Sequence, residues 1–258
     1  MTIFVKLPHE LEAMKVSGEL SARVLREVGK RCQPGVSTWE LDQFAEEYIR
    51  DNGGTPTFKG YGGYPASLCA SVNDEVIHGI PSKDKVLKSG DIISIDIGAT
   101  VDGWAGDNAW TFAVGNVAPE VKRLLEATEK SLWAGIEAAR AGNTTGDIGH
   151  AVQQMAEAAD MSVVREYVGH GIGRDMHEEP DVPNYGRKHR GAMLVPGMVI
   201  AIEPMVCLGR RRLKAGGDGW LVRTRDGKPA AHFEKTVAIT EDGAAELISV
   251  EPDHVRPL

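Results

Sequence analysis

The 258-residue sequence is poor in cysteine, with only Cys32, Cys69 and Cys207, and it has no CxxC pair. Odd in number and widely scattered, they do not form the pattern of a disulfide framework and read as reduced thiols in a cytoplasmic protein. No apolar run approaches the roughly 20 residues of a membrane-spanning helix. The opening "MTIFVKLPHELEAMK" has neither the basic head, the apolar stretch nor the cleavage site of a signal peptide. There is no surplus of positive charge: the formal net charge is −8, which argues against a general nucleic-acid binder. There is also no linker or low-complexity stretch, so a single domain over 1–258 is expected. The hydrophobic share of 42% and charged share of 26% are those of an ordinary globular chain.

What is present is concentrated in "SGDIISIDIGATVDGWAGDNAWTF". Asp96 interrupts the isoleucines 92, 93, 95 and 97, and Asp107 follows 107 − 96 = 11 residues later. Buried carboxylates must be paired or bind a cation. Asp102-Gly103 between them is a hairpin-turn signal, and a turn there sets Asp107 opposite Gly98. Gly98 shares a pleat face with Asp96, so the two acids become diagonal neighbours over a bare glycine. Two like charges held together away from water need a cation; the competing reading is a surface hairpin with solvated aspartates.

The chain echoes itself. "PGVSTWELDQF" and "AGNTTGDIGHA" share a glycine followed by a hydroxyl with an acid three positions on (Ser37 with Glu40, Thr144 with Asp147), which predicts capped helix starts. Gly35 and Gly142 lie 142 − 35 = 107 apart, as do Gly90 and Gly197, and Asp96 and Glu203. A weaker echo, His78-Gly79 with His170-Gly171, requires an offset of 92. Apolar spacing predicts helices over about 9–30 and 119–140, followed by helices at about 37–52 and 145–159. The predicted architecture is α+β: an antiparallel sheet with helices on one face, in pseudo-symmetric halves of about 9–115 and 119–248.

A pseudo-twofold axis would set Glu203 facing Asp96, and "FEKTVAIT" adds Glu234 on another strand. Four strand acids match two divalent cations. His170, between Gly169 and Gly171, reads as a nitrogen ligand to the same centre. An oxygen-rich, thiol-free set suits Mn, Fe, Co or Zn alike.

In the order "NDEVIHGIP", "GDIISIDIGATVDGWAGD", "GHGIG…MHEEP", "IAIEPMV" and "HFEKT", the chain resembles the type I methionine aminopeptidases from about Pro8 to Ile248. The resemblance implies the pita-bread fold. It carries five metal ligands onto Asp96, Asp107, His170, Glu203 and Glu234, with Asp107 and Glu234 bridging two divalent cations. It further implies removal of the initiator methionine from nascent chains with a small second residue, by metal-activated hydroxide. On this reading Glu203 carries the proton, one cation receives the free substrate amine, His177 stabilises the oxyanion and His78 orients the peptide. Tyr61, Tyr64, Cys69 and Trp220 resemble the apolar methionine pocket; ordinary core aromatics are the alternative. Met176 and Lys235 depart from the family pattern, which expects a bulkier residue and a histidine there. No zinc-binding extension precedes the matched region, and the 203 − 170 = 33 residues between His170 and Glu203 leave no room for a type II insert. The compact bacterial form, acting as a monomer, is expected. A proline-specific peptidase of the same fold and a metal-free binding homologue are the competing functions. The first usually carries an additional N-terminal domain, and the second loses ligands that this chain retains.

Residues 209–228 hold Arg210, Arg211, Arg212, Lys214, Arg223, Arg225 and Lys228 against Asp218 and Asp226. The surplus predicts a basic hairpin, and the resemblance, which implies action on chains still emerging from the ribosome, makes the anionic ribosomal surface its expected contact; a solvated hairpin is the alternative.

Overall fold

Helices α1 (Pro8–Gly29), α2 (Thr38–Asp51), α3 (Pro119–Ala138) and α4 (Thr145–Glu157) occupy the four segments expected from apolar spacing. The structure, a computed structural model, describes residues 2–251. Both capping boxes form. Ser37 Oγ accepts from Glu40 N at 3.3 Å while Ser37 N donates to the Glu40 carboxylate at 2.8 Å; Thr144 N donates to Asp147 Oδ2 at 2.9 Å.

The duplication extends to backbone hydrogen bonds. Gly35 N donates to Leu87 O at 2.8 Å, and 107 residues on Gly142 N donates to Leu194 O at 2.9 Å. The bridge Ser37↔Val86 recurs as Thr144↔Met193. Gly35 and Gly142 have φ of 94° and 88°, and Gly90 and Gly197 have 99° and 86°. Side chains rarely adopt those angles, which explains why glycine marks both copies. The third echo fails. Val72 pairs with Ile93 and Gly171 with Ile200, and Ile93 and Ile200 are 107 apart, so Gly171 corresponds to Val72 rather than to Gly79. His170 lies within strand Gly169–Gly171, whereas His78 follows strand Glu75–Ile77.

Among the described residues the named strands pair antiparallel, but they divide into four sheets instead of one. Strand Ile92–Val101 lies between Leu68–Val72 and Trp104–Ala113, the last forming the expected hairpin. Its counterpart Val199–Ile202 lies between Gly169–Gly171 and Lys235–Ile239. Here the second half differs: the chain makes a long excursion before its partner strand returns. Pro204, with no N–H to give a ladder, stands directly after Glu203 and begins it.

The core is continuous beneath the helices. Leu20, Val24, Leu25 and Val28 of α1 bury against Ile92, Ile93, Ile95 and Ile97, each side chain contributing about 1.5–3 kcal/mol on leaving water. Hydrogen bonds stitch the halves together. Glu234 N donates to Ala109 O at 2.8 Å, Thr236 Oγ1 to Asp107 O at 2.9 Å and Thr111 Oγ1 to His232 O at 2.8 Å.

The basic segment forms strands Leu213–Ala215 and Val222–Thr224, but not every cation in it is free. Arg223 donates to Asp74 Oδ1 and Glu75 Oε1, both at 2.7 Å. This corrects its assignment to a projecting basic patch: β-pairing of Val222–Thr224 with Glu75–Ile77 brings it onto acids far away in sequence. Arg210, Arg212, Lys214 and Arg225 remain exposed.

Candidate metal centre

Residues Asp102 and Gly103, with φ of 50° and 76°, form the turn, and Gly98 pairs with Asp107 as the spacing requires. The bareness of Gly98 serves a neighbour that the sequence did not reveal. A Cβ there would come within 2.7 Å of the Phe58 ring, so the glycine admits Phe58 to the wall of the site.

The eleven residues singled out from the sequence (Tyr61, Tyr64, Cys69, His78, Asp96, Asp107, His170, His177, Glu203, Trp220 and Glu234) line one cavity of about 170 Å³, with Phe58 and Met176 completing it. Asp107, His170 and Glu234 each present a ligand atom, all within 4.8 Å of one another and all buried. His170 Nε2 lies 3.6 Å from both Asp107 Oδ2 and Glu203 Oε1. Its Nδ1 is 2.8 Å from the Gly171 carbonyl. A proton held there fixes the tautomer and leaves the lone pair of Nε2 facing the carboxylates.

Beside the acids is an apolar socket. Tyr64 and Trp220 meet edge to face at 5.1 Å between ring centroids, and Phe58, Tyr64, Cys69 and Met176 are buried together. The buried phenol of Tyr64 donates to the carbonyl of Leu68 or Gly79, each at 3.1 Å, so its polar atom is satisfied while the ring packs. Tyr61 is different: 45% exposed at the rim, its hydroxyl lies 2.8 Å from His177 Nδ1. His78 holds φ of 59°, an unusual angle for a side-chain-bearing residue, and packs edge-on against Tyr167 and Trp220.

Residues 12–241 match metallopeptidase family M24. The chain belongs to that family. Methionine aminopeptidase 1 of Bacillus subtilis is 52% identical over 241 residues, covering 93% of this chain and 97% of the relative. The crystal structure of methionine aminopeptidase from Thermotoga maritima superposes with a TM-score of 0.95 at 44% identity, covering 97% of this chain and 100% of that one. The prolidase from Pyrococcus furiosus shares the fold at a TM-score of 0.75 and 22% identity, and 65% of its length is covered. Within M24 the chain is therefore a compact bacterial type I member of the methionine aminopeptidase group, with the pita-bread fold.

M24 membership implies divalent metal, and the donors of this chain fit one. Burial, then repulsion from Asp107, pushes the Asp96 carboxyl well above its usual range. Burial and repulsion from Asp107 and Glu203 do the same to Glu234. Asp96 Oδ1 and Glu234 Oε1 have no hydrogen-bond partner among the described residues. Buried anionic oxygens without donors are what a divalent cation satisfies. Burial disfavours a charged His170, but the carboxylates of Asp107 and Glu203 overcome it and raise its pKa. Burial, then the neighbouring His170, holds His177 below its usual value and hence neutral near pH 7; burial likewise lowers His78.

Sequence reasoning missed His232. It is 2% exposed, with Nε2 3.5 Å from Glu203 Oε2 and 4.0 Å from Glu234 Oε2. Its two-residue spacing from Glu234 was the available signal. Lys235 turns away from the acids: its Nζ donates to Asn108 Oδ1 and Ser249 O, both at 3.1 Å, and burial brings its pKa down to about 7.

Proposed function

We propose that this M24 protein is a methionyl aminopeptidase that removes the initiator methionine from chains with a small second residue, using two divalent cations. The convergence of Asp96, Asp107, His170, Glu203 and Glu234 beside the socket of Phe58, Tyr64, Cys69, Met176 and Trp220 carries this reading. Those five ligands would hold the cations. When bound, divalent cations supply Lewis acidity to the scissile carbonyl and acidify the attacking water. Glu203, flanked by His170 and His232, accepts the proton of that water on its carboxylate and returns it to the leaving amine. With the Tyr61 hydroxyl donating to Nδ1, neutral His177 keeps its proton on Nε2 and stabilises the developing oxyanion through a hydrogen bond from that N–H. His78 orients the peptide amide, and the aromatic and sulfur walls suit a thioether.

The test strips the protein of metal, adds back Mn²⁺, Fe²⁺, Co²⁺ and Zn²⁺ singly, and follows methionine release. Met-Ala, Met-Gly and Met-Ser peptides should be cut. Efficient release from Met-Lys or Met-Phe, or a preference for Xaa-Pro peptides, would contradict the reading.

The protein acts as a cytoplasmic monomer on this proposal. None of its described helices is long and apolar enough to cross a membrane, and its three cysteines are buried and free. Substrates of this class emerge from ribosomes, and the exposed Arg210, Arg212, Lys214 and Arg225 can contact phosphates. Co-sedimentation with ribosomes should weaken steeply with salt. Reversing Arg210, Arg212 and Arg225 to Glu should reduce it while Met-Ala-peptide cleavage stays intact; unchanged association would refute the contact. Arg223 is left out because its reversal would set a third acid against Asp74 and Glu75.

A further inference from the structure

The loop from Gly173 to Glu178 presents Met176 and His177 to the cavity, and three anchors fix it. Arg174 donates to Asp102 O at 3.0 Å and lies 3.9 Å over the Trp104 ring, tying the loop to the hairpin turn. Tyr61 holds His177 Nδ1. The third anchor comes from 172 positions away in sequence: Lys6 Nζ donates to Glu178 Oε2 at 2.5 Å. The side chains of this pair are only 4% and 6% exposed.

Lys6 is held in turn. Its backbone N donates to Gly197 O at 2.8 Å, its Nζ also lies 3.3 Å from Phe4 O, and Ile3 bridges to Glu179. The other Glu178 oxygen accepts from Asp175 N at 3.4 Å, closing the loop on itself. Packing is tight enough that a Cβ on Gly173 would meet the Glu178 carboxylate and would lie 2.7 Å from Lys6 Cε. Gly173 O in turn accepts from Ala105 N at 2.9 Å.

A desolvated ion pair is a poor source of stability, because the cost of removing both charges from water largely cancels their attraction. Its contribution here is geometric: Glu178 directly follows His177, and Lys6 fixes where Glu178 sits. We propose that Lys6, acting through Glu178, is a positioning residue that aims His177 at the substrate carbonyl. This inference rests on the aminopeptidase reading above.

Lys6→Met alone leaves the buried Glu178 carboxylate without its counter-charge and lowers stability as well as turnover. The Lys6→Met/Glu178→Gln double variant removes both charges and separates the two effects. Its Tm should recover toward wild type, while kcat for a Met-Ala peptide stays about tenfold down with KM and metal content little changed. In a His177→Ala background the same pair of changes should cost less than about twofold, because the two act through one group. In metal-free protein, the ¹⁵N resonances of the His177 ring should shift in the double variant. A double variant with recovered Tm and wild-type kcat, full additivity with His177→Ala, or unshifted His177 resonances would each overturn the proposal. Wild-type protein that fails to cut Met-Ala peptides would sink the aminopeptidase reading instead, and the resonance measurement would still report on the clamp.

Discussion

Asp107→Asn should abolish methionine release, with kcat/KM falling on the order of 10³-fold or more, equivalent to about 4 kcal/mol of transition-state stabilisation. Metal affinity should fall with it, because Asp107, His170 and Glu234 present buried ligand atoms within 4.8 Å of one another. The less obvious half of the expectation concerns stability. Repulsion from Asp107 helps to raise both Asp96 and Glu234. A carboxyl whose pKa is raised on folding binds more protons in the folded state. Folding stability is then unpenalised below the ordinary carboxylate range and declines as pH rises from there toward the raised values. Metal-stripped wild-type protein should accordingly lose stability between about pH 4 and neutrality. Stripped Asp107→Asn should lose less and should melt higher at pH 7 than stripped wild type. Calorimetry on stripped and loaded protein across that range checks both parts. An Asp107→Asn variant that turns over near the wild-type rate, or that melts lower when stripped, would contradict the electrostatic account.

His177→Ala should separate chemistry from metal binding. The imidazole is neutral, aimed by Tyr61 through Nδ1, and its ring centroid lies 4.2 Å from that of His170. Losing one oxyanion donor should lower kcat by about 10²-fold. Metal content and the Tm of the loaded protein should stay near wild type, because on the proposed assignment the carboxylates and His170 would still hold the metal. Metal analysis beside steady-state kinetics checks this. Loss of metal together with activity would make His177 a ligand and displace it from its assigned role.

The parts of this site legible in the sequence are those set by short-range rules. Asp-Gly fixes the hairpin, period-two geometry then sets Asp107 opposite Gly98, and a constant offset of 107 carries Asp96 onto Glu203. What escaped notice depends on which distant segments touch. Lys6 meets Glu178, Tyr61 meets His177, and Arg223 meets Asp74 and Glu75, and no local pattern links any of these pairs. Arg223 looked like part of a free basic patch for that reason: a charge is visible in a sequence, its partner is not. The third echo misled differently. A short His-Gly-Ile match recurs by chance where a strand register does not.

The hydrogen bonds from Glu234, Thr236 and Thr111 across the junction between the halves have a consequence for how the molecule fails. The first half supplies Asp96 and Asp107, the second His170, Glu203 and Glu234, so the cations would sit as a keystone in an arch whose two limbs each hold an incomplete socket. By linkage, whatever pries the limbs apart must weaken cation binding, and whatever fills the socket must tighten the arch. Metal affinity then becomes a strain gauge for the whole molecule. Damage far from any ligand that loosens the junction would register as weaker cation binding as well as lower stability.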